Sequence, residues 1–323
     1  LMPNFNGVWS LTTQLQYASA WPVPPAAAGI FAGGFSGSSS ATVNVIQEID
    51  MYSAGNATDF GDLSASKMEM SSVASSTRGV FGGGTTDGGT NGAVDVMEYI
   101  TIANTGNVTD FGNLSAAKRL TAGMGSSTRG IFSGGFTSGA VNVMEYITIA
   151  NTGNVTDFGD LLGTLQRSSA ASSTVRGLIG GGNAGSNVIQ YVTIASTGNS
   201  TDFGDLTSGR DDLAACSSAT RAVFGGGALN GGSKADIIDY VTIASTGNAT
   251  DFGNLATYTE YLAACSATGI DRGVFGGGLT TAYIDTIQFI SIPSTGNASD
   301  FGDLLAAEAL SITACSDAHG GLA

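Results

Sequence analysis

The phrase Thr58-Asp59-Phe60-Gly61 returns five times along the chain, as TDFG at Asp110, Asp157, Asp202 and Asp251 and as SDFG at Asp300. Successive aspartates lie 51, 47, 45, 49 and 49 residues apart. A second phrase, Arg78-Gly79-Val80-Phe81-Gly82-Gly83-Gly84, recurs in related form from Arg129, Arg176, Arg221 and Arg272. A degenerate early copy from Ala28 to Gly34 and a truncated late one, His319-Gly320-Gly321-Leu322, flank the set. Self-similarity at this period implies stacked supersecondary units, none able to bury its apolar faces alone.

One copy reads as four short strands. Leu213 to Ser217 is a small-residue strand, and Arg221 to Phe224 is an apolar strand ending in glycines. Ile237 to Ile243 is β-branched and aromatic, the strongest strand signal of the unit. The turn Ser245-Thr246-Gly247-Asn248 then leads to a brief outer strand at Thr250 to Gly253. This order resembles the kelch repeat. Tyr99, Tyr146, Tyr191, Tyr240 and Phe289 stand where kelch repeats place a tyrosine, and Phe60, Phe111, Phe158, Phe203, Phe252 and Phe301 where they place a tryptophan. The resemblance implies an all-β, six-bladed kelch-like β-propeller of four-stranded antiparallel blades.

The ends predict how the ring closes. The repeats begin on a second strand (Gly29 to Gly34) and finish on a first strand (Leu310 to Cys315), so the C-terminal strand would complete blade one and remove both open edges. Residues 26–323 are read as the propeller and residues 1–25 as a short N-terminal extension, a strap or anchor holding Trp9 and Trp21. Leu1 ahead of Met2 suggests that a longer chain surrounds these residues.

The six copies can be compared with one another. The connection after the glycines and the one after DFGDL or DFGNL vary, and in an antiparallel blade both lie on one face of the disc. The other two turns repeat closely and lie opposite. Lys67, Lys118, Arg119, Arg167, Arg210 and Lys234 all fall in the variable connections, with Asp211, Asp212, Tyr258, Glu260, Tyr261 and Tyr283, and also Asp87 and Glu308. Aromatic and charged groups on loops of a rigid scaffold suit saccharide or protein surfaces, which makes this the candidate ligand-binding face. Arg78, Arg129, Arg176, Arg221 and Arg272 are assigned a structural contact with the repeat aspartates Asp59, Asp110, Asp157, Asp202, Asp251 and Asp300.

Composition excludes several classes. The net charge of −15 argues against nucleic acid and anionic membranes. No run of 18 apolar residues exists, so no membrane-spanning helix is expected. The first residues lack the zones of a secretory signal. Cys216, Cys265 and Cys315 share one repeat position that holds Val73, Met124 and Ala171 in earlier copies, which reads as a buried apolar site.

No catalytic residue and no cofactor is expected. His319 is the sole histidine, so neither a Ser-His-Asp set nor a zinc shell can be assembled. The Asp-x-x-Asp spacing of Asp59/Asp62 and its copies offers oxygens to calcium, but a dedicated site wants six to eight and turn capping explains the residues as well. Asn56, Asn107, Asn154, Asn199, Asn248 and Asn297 form sequons in register and read as turn residues. Asp211, Asp212, Glu260 and Glu308 leave a carboxylate-based glycosidase as a further alternative.

The repeats STGNATDFGDL and RGVFGGG, with the lead-in Asn4 to Leu11 and Ala20-Trp21-Pro22, are similar to virion structural proteins of tailed marine and cyanobacterial phages. That resemblance implies a non-enzymatic propeller on a virion surface, in a tail fibre or spike, with other virion proteins and a host saccharide or protein as partners. A decoration protein without a ligand is the alternative, and oligomeric assembly is left open.

Overall fold

Ring closure comes from the two ends of the repeat array. In the computed structural model, which describes residues 27–87, 92–183, 185–305 and 308–322, Thr313–Ser316 pairs antiparallel with Ala28–Ala32, Gly29 facing Ser316 and Ala32 facing Thr313. Val45–Asp50 and Thr58–Asp62 complete blade one. Blade two is Ser71–Ala74, Arg78–Gly82, Val96–Thr101 and Thr109–Asn113, and blades three to six repeat that order around the ring. The chain is therefore an all-β, six-bladed propeller, closed as expected. The extension over residues 1–25 lies outside the described residues.

The outer strand explains the TDFG phrase. In each blade the register slips by one residue between the third and outer strands, in blade two between Met97 opposite Gly112 and Glu98 opposite Asp110. Phe111 is the extra residue of this bulge and is buried, while Asp110 is exposed. Phe111 meets Tyr99 edge-on at 6.0 Å, and four other blades repeat the aromatic pair.

Neighbouring blades are joined by the Thr-Gly-Asn turn. Gly106 N–H donates to the Phe60 carbonyl (2.7 Å) and Val108 N–H to that of Asp62 (3.0 Å), while Asn107 Oδ1 accepts from Asp62 N–H (3.0 Å). Equivalent asparagine contacts run from Asn154, Asn199, Asn248 and Asn297 to the blade before each, and Asn56 carries the clasp across the closing joint to Asp303. A Cβ on Gly61 would lie 2.3 Å from the Gly106 carbonyl oxygen, so the phrase needs glycine there. At about 1 kcal/mol net per hydrogen bond, each clasp is worth a few kcal/mol.

The repeat arginines make a different contact from the one expected. Arg78 stacks its guanidinium 4.1 Å from the centre of the Tyr99 ring and donates to the Ile149 carbonyl of the next blade at 2.9 Å. Arg129, Arg176, Arg221 and Arg272 do the same over Tyr146, Tyr191, Tyr240 and Phe289, reaching the carbonyls of Ile194, Ile243, Ile292 and Met51. Among the described residues none pairs with Asp59, Asp110, Asp157, Asp202, Asp251 or Asp300, because those side chains leave the outer strand toward solvent. The arginines are interblade braces of cation–π and charge-assisted type.

Side-chain volume is matched across each joint near the axis. A Cβ on Gly130 would lie 2.4 Å from Val73 of the preceding blade, one on Gly177 2.3 Å from Met124, and one on Gly273 2.6 Å from Cys216. The one second strand with alanine there, at Ala222, shares its buried cluster with Ala171, the smallest residue of the inner-strand set. All three cysteines are free and buried. Gly130→Ala should cost about 1–3 kcal/mol, read by denaturant unfolding. In a Val73→Ala background the cost should shrink, as the Ala171/Ala222 joint shows; equal costs in both backgrounds would remove the packing account.

Candidate binding site at the channel mouth

The inner strands leave a channel of about 130 Å³ along the axis, with Ser71, Thr121, Ser169 and Thr313 on its wall. The channel is blocked on the uniform face. There the chain turns over Gly320–Leu322, His319 Nε2 lies 2.9 Å from the Ala74 carbonyl, and Gly321 N–H donates to His319 Nδ1. Serine hydroxyls tie the neighbouring strand ends together, Ser217 to the Ser172 carbonyl at 2.8 Å and Ser172 to that of Gly125 at 2.8 Å.

On the variable face, one residue per blade stands at the same place just before the inner strand. These are Glu69, Leu120, Arg167, Asp212, Tyr261 and Ser311, and all six have left-handed backbone, with φ of 60, 58, 59, 51, 59 and 55°. Their backbones form a closed circle, each N–H donating to the carbonyl of the counterpart one blade earlier. Glu69 donates to Ser311 (3.0 Å), Leu120 to Glu69 (2.9 Å) and Arg167 to Leu120 (3.2 Å). Asp212 donates to Arg167 (3.0 Å), Tyr261 to Asp212 (2.9 Å) and Ser311 to Tyr261 (3.2 Å). Left-handed backbone costs a non-glycine residue on the order of 1 kcal/mol. In a chain holding 49 glycines, none of the six is glycine.

These six side chains surround a cavity of about 80 Å³ at the channel mouth. Arg167 Nη1 donates to Asp212 Oδ2 at 2.7 Å and to the Tyr261 hydroxyl at 2.9 Å, so three successive blades share one polar array. Arg119 pairs with Glu69 and lies over Phe136. Burial pushes the Asp212 carboxyl up to about 7; Arg167 opposes this, and Asp211 and Glu260 add to it. Burial and the Asp212 charge push the Tyr261 phenol up to about 12. The Ser311 hydroxyl is buried with no hydrogen-bond partner among the described residues.

The candidate face divides in a way the sequence reading missed. All six loop cations are on the variable side, but Lys67, Lys118 and Arg210 are buried beneath it. Lys67 pairs with Glu98 (2.9 Å), Lys118 with Glu145, and Arg210 with Asp239 (2.7 Å). They are core ion pairs and cannot touch a ligand. The acids they neutralise sit at one third-strand position, occupied by Gln47, Gln190 and Gln288 in the other three blades. Two residues before each member of the circle, a cation stands only where that third-strand position is acidic, a match legible in the repeats. Farther from the axis, Lys234 pairs with Glu260, Tyr283 packs on Phe35, and Asp211 pairs through its backbone with Ala228. Tyr258 is 62% exposed and borders a groove of about 480 Å³ with Thr280 and Ile284.

Glu69, Leu120 and Ser311 were not singled out by sequence. Aligning the copies on the inner strand would have found them, since that column reads E, L, R, D, Y, S. Among the described residues, no three His, Cys, Asp or Glu side chains converge as a metal shell.

Two measurements probe these electrostatics. The Lys118 carbonyl accepts from Gly84 N–H as that of Leu165 accepts from Gly135 N–H, so Lys118 and Leu165 are counterparts. Lys118→Leu alone strands the Glu145 carboxylate and should cost about 3–5 kcal/mol. Adding Glu145→Gln copies the Leu165–Gln190 arrangement and should restore most of it; a double variant as weak as the single would contradict the pairing. For Asp212, the folded pKa near 7 lies above the ordinary value of about 3.9. Its contribution is therefore fully present below the ordinary value and is lost as pH rises through about 7. Thermal melts should show the wild type losing stability relative to Asp212→Asn between pH 5 and pH 8, and the opposite trend would refute the assignment.

No protein-family model matches the chain, and no curated protein sequence matches it.

Proposed function

We propose that the chain is a non-enzymatic recognition module exposed on a virion, in a tail fibre or spike, which attaches to a host-surface saccharide or protein through its variable face. The observation that carries this reading is the circle of six left-handed residues. Closure needs only their backbones, which glycine would supply with less strain, yet the six side chains are retained and all differ. Strained backbone held in place by its surroundings is characteristic of ligand-gripping positions. The uniform face has an internal account, since its turns and asparagines clasp blade to blade. The virion setting rests on the likeness of the repeats and lead-in to phage structural proteins.

The purified chain, applied to a glycan array and then assayed for hydrolysis of whatever it binds, should show binding without turnover. Cleavage would replace the reading by a carboxylate glycosidase. Immunogold labelling of intact particles should place the chain on the virion surface. Surface labelling without any glycan or host-cell binding would favour a decoration protein, and no labelling would remove the virion setting.

A further inference from the structure

We infer that the channel mouth is an end-on subsite for the terminal residue of a neutral saccharide, an inference that rests on the recognition reading above. Three features of the mouth converge. The first is shape. The mouth cavity of about 80 Å³ lies over the channel, and the channel is shut at its far end by the Gly320–Leu322 turn. At about 30 Å³ per water, the mouth admits a hydroxymethyl arm or one edge of a sugar ring. A polymer cannot thread through a passage closed at one end, so only a chain end can enter.

The second feature is charge. Arg167 and Asp212 neutralise one another, as do Arg119 and Glu69. An anionic ligand would face Asp212, Glu69, Asp211 and Glu260 on a chain of net charge −15, and a cationic one would face Arg167 and Arg119. A neutral hydroxyl meets no such opposition. It can donate to the Asp212 carboxylate and accept from the Arg167 guanidinium, and a pair of adjacent hydroxyls can do both. The Tyr261 ring beside them offers an apolar face to the C–H side of a sugar.

The third feature is an unused group. The Ser311 hydroxyl lines the mouth, is about nine-tenths buried and has no hydrogen-bond partner among the described residues. A buried hydroxyl without a hydrogen bond is costly, so its pairing is supplied from outside the protein. Ser311 lies next to Tyr261 on the backbone circle, and Tyr261 next to Asp212, so the free hydroxyl and the Arg167–Asp212–Tyr261 array occupy one continuous arc.

The test uses the purified full chain on an array of neutral, sialylated and sulfated glycans. The neutral probes are presented with the terminal residue free or with its hydroxyls methylated. Neutral glycans should bind, and methylation of the terminal residue should abolish binding. Ser311→Gly and Tyr261→Gly each delete a mouth group while suiting φ of +55 and +59°. Each should weaken binding at least tenfold; Ser311→Gly, which removes no hydrogen bond seen among the described residues, should do so with an unchanged or higher melting temperature, which separates recognition from folding. Tyr258→Ala, in the outer groove, should change affinity less than twofold. Binding that survives both glycine variants overturns the subsite. Loss in Tyr258→Ala alone moves the site to the outer groove and leaves the face reading intact. Preference for acidic glycans overturns the neutral class only, and a wild type that binds no glycan on the array overturns the subsite and the saccharide reading together.

Discussion

Six backbone N–H groups, each donating to the carbonyl of the blade before it, form a circle that closes only if every blade occupies the same wedge. That requirement reaches the rest of the molecule. An outer strand must bulge at the same place in each copy, a turn must meet its neighbour at the same height, and a side chain crossing a joint must leave the volume opposite it unfilled. Residues bound by these conditions recur with little change. Residues on the variable loops are released from them, and at the mouth only the backbone is bound while the side chain is free to differ.

The joints show how local chemistry satisfies one geometry by different means. Where the third strand carries an acid, a buried cation from the preceding connection neutralises it. Where it carries Gln190 or Gln288, the amide oxygen instead accepts from the backbone of Leu162 or Ala256. Glu145 also accepts from the Ser115 N–H, so the acceptor role is shared by charged and neutral versions. The buried charge is therefore an exchangeable solution to a hydrogen-bonding demand, consistent with the modest net worth of buried ion pairs.

Much of this architecture was legible in the repeats. Blade number, strand order, closure by the C-terminal strand and the division of the two faces all follow from phrase spacing, because period and connectivity are properties of the chain alone. Side-chain partners did not follow. Arg78 and Asp110 share a copy and opposite charges, but the bulge sends the aspartate to solvent while the strand register sets the arginine over Tyr99. Lys67, Lys118 and Arg210 look like loop cations because their acids are distant in sequence. The mouth column was hidden for another reason: E, L, R, D, Y and S share no chemistry, so aligning the copies puts them in one column without marking it, which their common backbone conformation does.

Closure by the last strand also fixes where the polypeptide meets the ring. Ala28 begins its strand opposite Asp50, and Ser316 ends the closing strand opposite Gly29, so both points of attachment lie on the clasped side of the disc. Any tether joined there leaves the ring on the side away from the mouth. The closed array is thus entered at Ala28 and left at Ser316 on one side of the disc, and the mouth lies on the other.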